Sequence, residues 1–176
     1  MVRYLTENDV QQLLNMPLAV SLVEESLKAR ALGRAIDVPR VRTHTPQGTL
    51  HVLEAASQDL NRIGFKAYYS SSSGTRFHVM LYDLTKGPLL AMVEANLLGI
   101  IRTGAASGVA TKYLAREDAS IVAMIGAGRQ AVGQLEAETL AVEAHRTDEV
   151  GHADAHVGSG VGDVVGHDGG GYASIC

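Results

Sequence analysis

Three cations stand in otherwise strand-like or apolar settings: Arg42, Lys66 and Arg102. Lys66 lies between Phe65 and Ala67, and Arg102 follows the run Leu97, Leu98, Gly99, Ile100, Ile101. A guanidinium or ammonium withdrawn from water requires an anionic partner, and a small carboxylate gripped by two donors is a natural one. Taken singly, each is more simply a side chain that alternates outward into solvent, so spacing alone assigns none of them. A second constellation is contiguous. The apolar run Ile121 to Ile125 reads as a buried parallel strand, and Gly126, Ala127, Gly128, Arg129, Gln130 and Ala131 follow it. Gly126, Gly128 and Ala131 fit the G-x-G-x-x-G/A fingerprint of dinucleotide sites. Gly126 permits a tight turn, Gly128 lets backbone approach a pyrophosphate, and Ala131 opens a helix whose first amides face the phosphates. The ligand class this implies is a dinucleotide held through its pyrophosphate. A whole dinucleotide-binding domain needs several further strand–helix units, so the chain is expected to carry the motif without the whole domain.

The elements that must hold these residues are legible in outline. After a short leading strand, Thr6 reads as a helix N-cap with acids in the first turn, and Pro17 suits the first turn of a second helix. In that helix Ala19, Val20, Leu22, Val23, Leu27 and Ala31 form an apolar stripe that closes near Gly33. From Pro39 to Glu94 the pattern predicts about five strands: Val41 to Thr45, Thr49 to Leu53, Ile63 to Tyr69, Phe77 to Tyr82 and Leu89 to Val93. Pro46-Gln47-Gly48 reads as a hairpin loop, the run Ser70 to Gly74 as a flexible loop, and Asp83 to Pro88 as a turn-rich connection. A long helix follows over about Ala95 to Ala115, packed through Leu97, Leu98, Ile101, Ala105 and Val109. Its small residues from Gly104 to Gly108 predict close approach to another backbone.

The reading is therefore an α+β N-terminal domain over 1–117, followed at 118–144 by the first βα unit of a Rossmann-like α/β domain. A Gly/His/Asp-rich tail over 145–176 follows, expected to be disordered because it sustains no period. His145, His152, His156 and His167 lie in that tail, but only His152 and His156 have helical i, i+4 spacing, so no metal site is expected.

Composition narrows the classes. With 46% hydrophobic and 19% charged residues the chain reads as a soluble globular protein. A net charge of −4 and no basic cluster give no electrostatic case for nucleic acid. The one cysteine, Cys176, rules out an internal disulfide and makes a reducing cytoplasm the expected location. No segment has the apolar length of a membrane span or the apolar core of a signal peptide.

The order of these pieces resembles the ornithine cyclodeaminase / mu-crystallin family over residues 1 to about 140. The resemblance is carried by Pro39-Arg40-Val41-Arg42-Thr43, Gly64-Phe65-Lys66, Asp83 through Pro88-Leu89-Leu90-Ala91, Glu94-Ala95-Asn96, Arg102 through Ser107, Ala115-Arg116 and Ile125 through Ala131. It implies that the domain over 1–117 binds substrate and mediates dimerisation, and that Arg42, Lys66 and Arg102 hold a substrate carboxylate, with Arg40 as an alternative register for Arg42. It implies catalytic service from Lys66, whose charge stands beside the reacting centre, and a pyrophosphate loop at Gly126, Gly128, Arg129, Gln130 and Ala131. The implied activity is NAD(P)-dependent conversion of an amino acid through an imine, as in ornithine to proline plus ammonia. The alternatives are a ketimine reductase or alanine dehydrogenase of the same family, or a non-catalytic dimerising or ligand-binding fragment. The implied partners are a small amino acid or cyclic imine and, for intact relatives, a second copy in a homodimer. The family usually reads Met-Pro at Leu53-Glu54 and Thr at Gly99, which leaves the substrate open. The family's catalytic aspartate and its NAD-versus-NADP selector lie beyond the residues that match, so impaired activity is expected of this chain.

Overall fold

A computed structural model describes residues 1–149. The chain divides into two compact units: Met1–Asn15 with Ser21–Gly99, and Met16–Val20 with the chain from Ile100 onward.

The first unit is built on a sheet of seven strands: β1 (Arg3–Leu5), β2 (Ala35–Asp37), β3 (Val41–Thr45), β4 (Gly48–Ser57), β5 (Arg62–Ser71), β6 (Gly74–Asp83) and β7 (Leu89–Glu94). Their order is β1-β7-β6-β5-β4-β2, and β3 pairs with the other half of β4. All pairings are antiparallel except β1 with β7. All five predicted strands are present. Strand β2 was not predicted, because three residues are too few to show a period of two. Two connections are tighter than predicted. The β3–β4 turn uses Pro46 and Gln47 alone, because Thr45 already pairs with Gly48. The expected flexible loop after Ser70 is a hairpin in which Ser71 pairs with Gly74. Gly74 takes φ +111°, a conformation that carries no steric cost only for glycine, and this lets the strands turn back at once.

Helix α1 (Glu7–Leu13) opens with the predicted hydroxyl cap. The Asp9 amide donates to Thr6 Oγ1 at 3.3 Å, and the Thr6 amide donates to Asp9 Oδ2 at 2.8 Å, a reciprocal capping box. Helix α2 (Met16–Ala31) carries Pro17 in its first turn, where no amide is needed. It ends at Gly33, φ +72°, with the Arg34 amide donating to the Ala29 carbonyl. The predicted α2 stripe is only partly covered: Ala19 is buried, but Leu22 and Leu27 are about half exposed. Periodicity decides which residues share a helix face, and only a packed neighbour decides whether that face is covered. Two carboxylates tie the helices to the sheet. Glu94 accepts from Tyr4 Oη at 2.8 Å and from the Glu7 amide at 2.9 Å. Glu7 in turn accepts from the Asn96 and Leu97 amides, which are otherwise unsatisfied at the start of the next helix.

That helix, α3 (Asn96–Leu114), runs on into the second unit, where it packs on α4 (Ala131–Glu149). The predicted small residues are the reason. A Cβ on Gly104 would collide with the carbonyl of Gly133, and one on Gly108 would reach within 3.0 Å of the Ala137 carbonyl. Around this contact Ile101, Ala105, Val109, Ala137 and Ala141 are buried. Thr111 donates to the Glu138 carboxylate across the same pair of helices.

Two expectations for this region need correction. Residues Ile121 to Ile125 form no strand: they pair with no other strand among the described residues, and Ile121 and Ile125 are 77% and 84% exposed. An apolar run becomes a strand only when a neighbour completes its ladder. Helix α4 also continues to Glu149, past the predicted boundary at residue 144. From residue 150 the expected disordered tail, with His152, His156 and His167, lies outside the described residues.

Candidate active site

The sheet register brings Arg42 and Lys66 onto one face. Residues directly opposite each other in a pleated sheet point the same way, as do residues two apart along a strand. Arg42 pairs with His51, His51 with Tyr68, and Tyr68 with Phe77, across β3, β4, β5 and β6. Lys66 precedes Tyr68 by two positions, so it shares that face. The rings make a floor and the cations stand on it. His51 stacks on Tyr68 with centroids 4.4 Å apart and planes within 7°, and Tyr68 meets Phe77 at 4.5 Å. The Lys66 Nζ lies 5.7 Å from the centroids of both Tyr68 and Phe77, and the Arg40 guanidinium lies 5.8 Å from Tyr68. Aromatic faces carry negative potential, so they hold cations in place without neutralising them.

Arg40, the alternative register for Arg42, thus reaches the same ring cluster by leading into β3. Lys66 is half-buried while Arg40 and Arg42 are exposed. His51 is a member of the cluster that the sequence did not suggest. Burial holds its pKa below the ordinary histidine value, with Arg42, Arg40 and His44 adding repulsion, so the imidazole is neutral near pH 7. Its Nδ1 is buried and has no hydrogen-bond partner among the described residues. The only available signal for His51 was the hairpin. A three-residue loop at Pro46-Gln47-Gly48 pairs Arg42 with Val52, whereas the observed two-residue turn pairs it with His51. One residue of register decides which side chain joins the site. Arg102 lies in the second unit, exposed on α3.

The glycine loop belongs to the second unit. Gly126 has φ +101°, which supplies the tight turn predicted for it. A Cβ at Gly126 or at Gly128 would meet no atom within 4 Å, so backbone is open to a ligand on both. The Ala131 amide donates to the Gly128 carbonyl at 2.9 Å, and α4 starts at that residue. No acidic side chain occupies the first turn of α4, so the positive end of the helix is uncompensated. An open cleft of about 640 Å³ lies alongside, lined by Val122, Met124, Gly126, Gly128, Gln130 and Gln134 among others. Gln130 and Ala131 line it, and Arg129 is exposed beside it. This arrangement suits the pyrophosphate of a dinucleotide through glycines where a phosphate must approach closely and a helix start without acids, while the Glu138 carboxylate lines the cleft further along α4.

A mostly antiparallel sheet bearing a basic face, followed by a glycine-rich turn into a helix, defines an α+β protein leading into the turn and helix that open a Rossmann-like domain. The chain belongs to the ornithine cyclodeaminase/mu-crystallin family, whose model matches residues 2–149. It is 36% identical over 141 residues to an alanine dehydrogenase of Archaeoglobus fulgidus, a match covering 76% of this chain and 43% of that one. An archaeal alanine dehydrogenase dimer with bound NAD superposes with a TM-score of 0.74 at 30% identity, covering 86% of this chain and 52% of the other. The Delta(1)-pyrroline-2-carboxylate reductase of Thermococcus litoralis, solved with NADH and L-proline, gives a TM-score of 0.74 at 30% identity, covering 80% and 46%. The chain spans about half the length of the relatives it matches.

Proposed function

We propose that this chain supplies the carboxylate-binding face and the pyrophosphate loop of an NAD(P)-dependent enzyme that interconverts a small amino acid and its imine. The observation that carries this reading is the convergence of Arg42 and Lys66, with Arg40, on one aromatic-floored face. Arg42 offers two parallel N–H donors to a carboxylate and Lys66 offers a point charge; Arg102 is proposed as a further carboxylate ligand on the family resemblance alone. Gripping the carboxylate fixes the adjacent α-carbon, and such positioning lowers a reaction barrier by several kcal/mol, out of a ceiling of roughly 7–11 kcal/mol. Lys66, held beside the reacting centre, is the catalytic residue of this face. Gly126, Gly128, Arg129, Gln130 and Ala131 hold the cofactor pyrophosphate. When bound, NAD or NADP supplies or takes up the hydride at the α-carbon.

Within the family the reductive reading, ketimine to cyclic amino acid or keto acid to alanine, is supported by the names of the two structural relatives. Ornithine cyclisation is the second reading, supported by the family's name, and uses the same clamp. The intact enzyme is proposed to be a homodimer, a reading supported by the dimer of its archaeal structural relative. No helix among the described residues is long and apolar enough to cross a membrane, and the cytoplasm remains the proposed location.

Calorimetric titration with L-proline and with pyrrolidine, which lacks the carboxylate, tests the clamp. Proline is expected to bind, pyrrolidine to fail, and Arg42→Ala or Lys66→Ala to abolish the difference; equal binding of both ligands refutes the reading. Consumption of NADH with Delta(1)-pyrroline-2-carboxylate, against ammonia release from ornithine with NAD, separates the two activities.

A further inference from the structure

The basic face also sets the sign of charge that a ligand meets beyond its carboxylate. His51 lies flat on Tyr68 and directly across from Arg42. Its Nδ1 is buried without a partner, and a buried N–H lacking an acceptor is the costlier choice. The proton of the neutral ring is therefore assigned to Nε2, which makes His51 a donor toward the open side. Among the described residues the groups that bear electrostatically on His51 are the Arg42 and Arg40 guanidiniums and the His44 ring. Lys66 stands over the same Tyr68 ring.

We propose that His51 is a specificity-determining residue which, with Arg40 and Arg42, makes this face select amino or imino acids with neutral or anionic side chains and reject those carrying a second ammonium. The proposal rests on the carboxylate-clamp reading above. One carboxylate satisfies part of the positive potential here, and a further anionic or acceptor group satisfies more of it. A terminal ammonium brought to the same face meets two guanidiniums and a ring that offers a hydrogen, with no acceptor from His51 to receive it.

The test is calorimetric titration of the full chain with L-norvaline, L-ornithine and L-glutamate. Norvaline and ornithine share a carbon skeleton and differ only in the terminal ammonium. Ornithine is expected to bind at least about tenfold more weakly than norvaline, and glutamate at least as tightly as norvaline. His51→Glu, which puts an acceptor and a negative charge at the same register position, is expected to narrow the norvaline–ornithine gap by about tenfold. If that variant does not fold, the wild-type ratio and Arg40→Ala, at an exposed position, decide the matter, the latter narrowing the gap. Norvaline binding that is absent, or indifferent to Arg42→Ala, overturns the clamp and this proposal with it. Norvaline binding that needs Arg42 while ornithine binds equally well overturns the His51 assignment alone.

Discussion

The two units carry their ligand-facing residues in opposite ways. In the sheet, Arg42, His51, Lys66, Tyr68 and Phe77 come from four strands and meet only because the ladders fix their register. In the second unit the loop Gly126 to Ala131 is one continuous stretch, and its geometry is local: a positive φ, two unobstructed glycines and a helix start. A constellation spread over strands is held by backbone hydrogen bonds on either side of each member. A contiguous loop needs only its own turn and the helix it opens, so it keeps its shape even though Ile121 to Ile125 pair with no strand among the described residues. The sheet site is thus sensitive to register, and the loop is sensitive to volume.

Substitutions can break this contrast. The largest effect on stability is expected at the helix contact behind the loop. Gly104→Val places a branched side chain against the Gly133 carbonyl and is expected to cost about 3 kcal/mol or more, as overpacking that backbone must absorb. A thermal melt that leaves helical content and midpoint unchanged would refute it. At the sheet face, Arg42→Ala and Lys66→Ala are each expected to weaken carboxylate binding by about 1.5–3 kcal/mol while the melt stays close to wild type. Arg102→Ala is expected to act in the same direction, measured by the proline titration. Thr6→Ala, which removes half of the capping box, should cost about 1 kcal/mol in the same melts with no change in ligand affinity. At the loop the smallest stability effect goes with a large functional one. A side chain at Gly128 meets nothing within 4 Å, so Gly128→Val should leave the melt within about 0.5 kcal/mol of wild type yet remove NAD(P) binding. Retained cofactor binding in that variant would show that backbone approach at Gly128 is not needed.

Acid sharpens the comparison further, because the carboxylates with depressed pKa values lie in the sheet unit. Lys86 and Thr85 amides hold Asp83 low, the Glu7 amide and the Tyr4 hydroxyl hold Glu94 low, and the Thr6 hydroxyl and amide hold Asp9 low. Each folded value lies below the unfolded one. The stabilisation is therefore complete above the ordinary carboxylate range and is lost as pH falls through the folded values. The melting midpoint is expected to be flat down to about pH 5 and to fall below about pH 4. Asp83→Asn should flatten that fall, and an unchanged acid profile in the variant would remove Asp83 from the account.

Much of this was legible in the residues. The Thr6 cap, the Gly33 stop, the five longer strands and the small-residue face of α3 all follow from short-range rules, and all are present. The failures share a cause. The strand at Ile121 to Ile125, the covered stripe at Leu22 and Leu27, and the partner of Arg42 each depend on what lies across from the segment. Side-chain order along one strand carries no record of the neighbouring strand's offset. Hence His51 and Tyr68 gave no signal as site residues, although each lies in a correctly predicted strand.

The residue order by itself determined the elements, their caps and the glycine turn, because backbone preferences and capping hydrogen bonds act over three or four positions. It also determined that Arg42, Lys66 and Arg102 were the cations to follow. Only the tertiary structure decided that Arg42 and Lys66 stand on one aromatic floor with His51 between Arg42 and Tyr68. Sheet register is fixed by turn length and ladder pairing between distant segments, and a slip of one residue would have sent every one of those side chains to the opposite face.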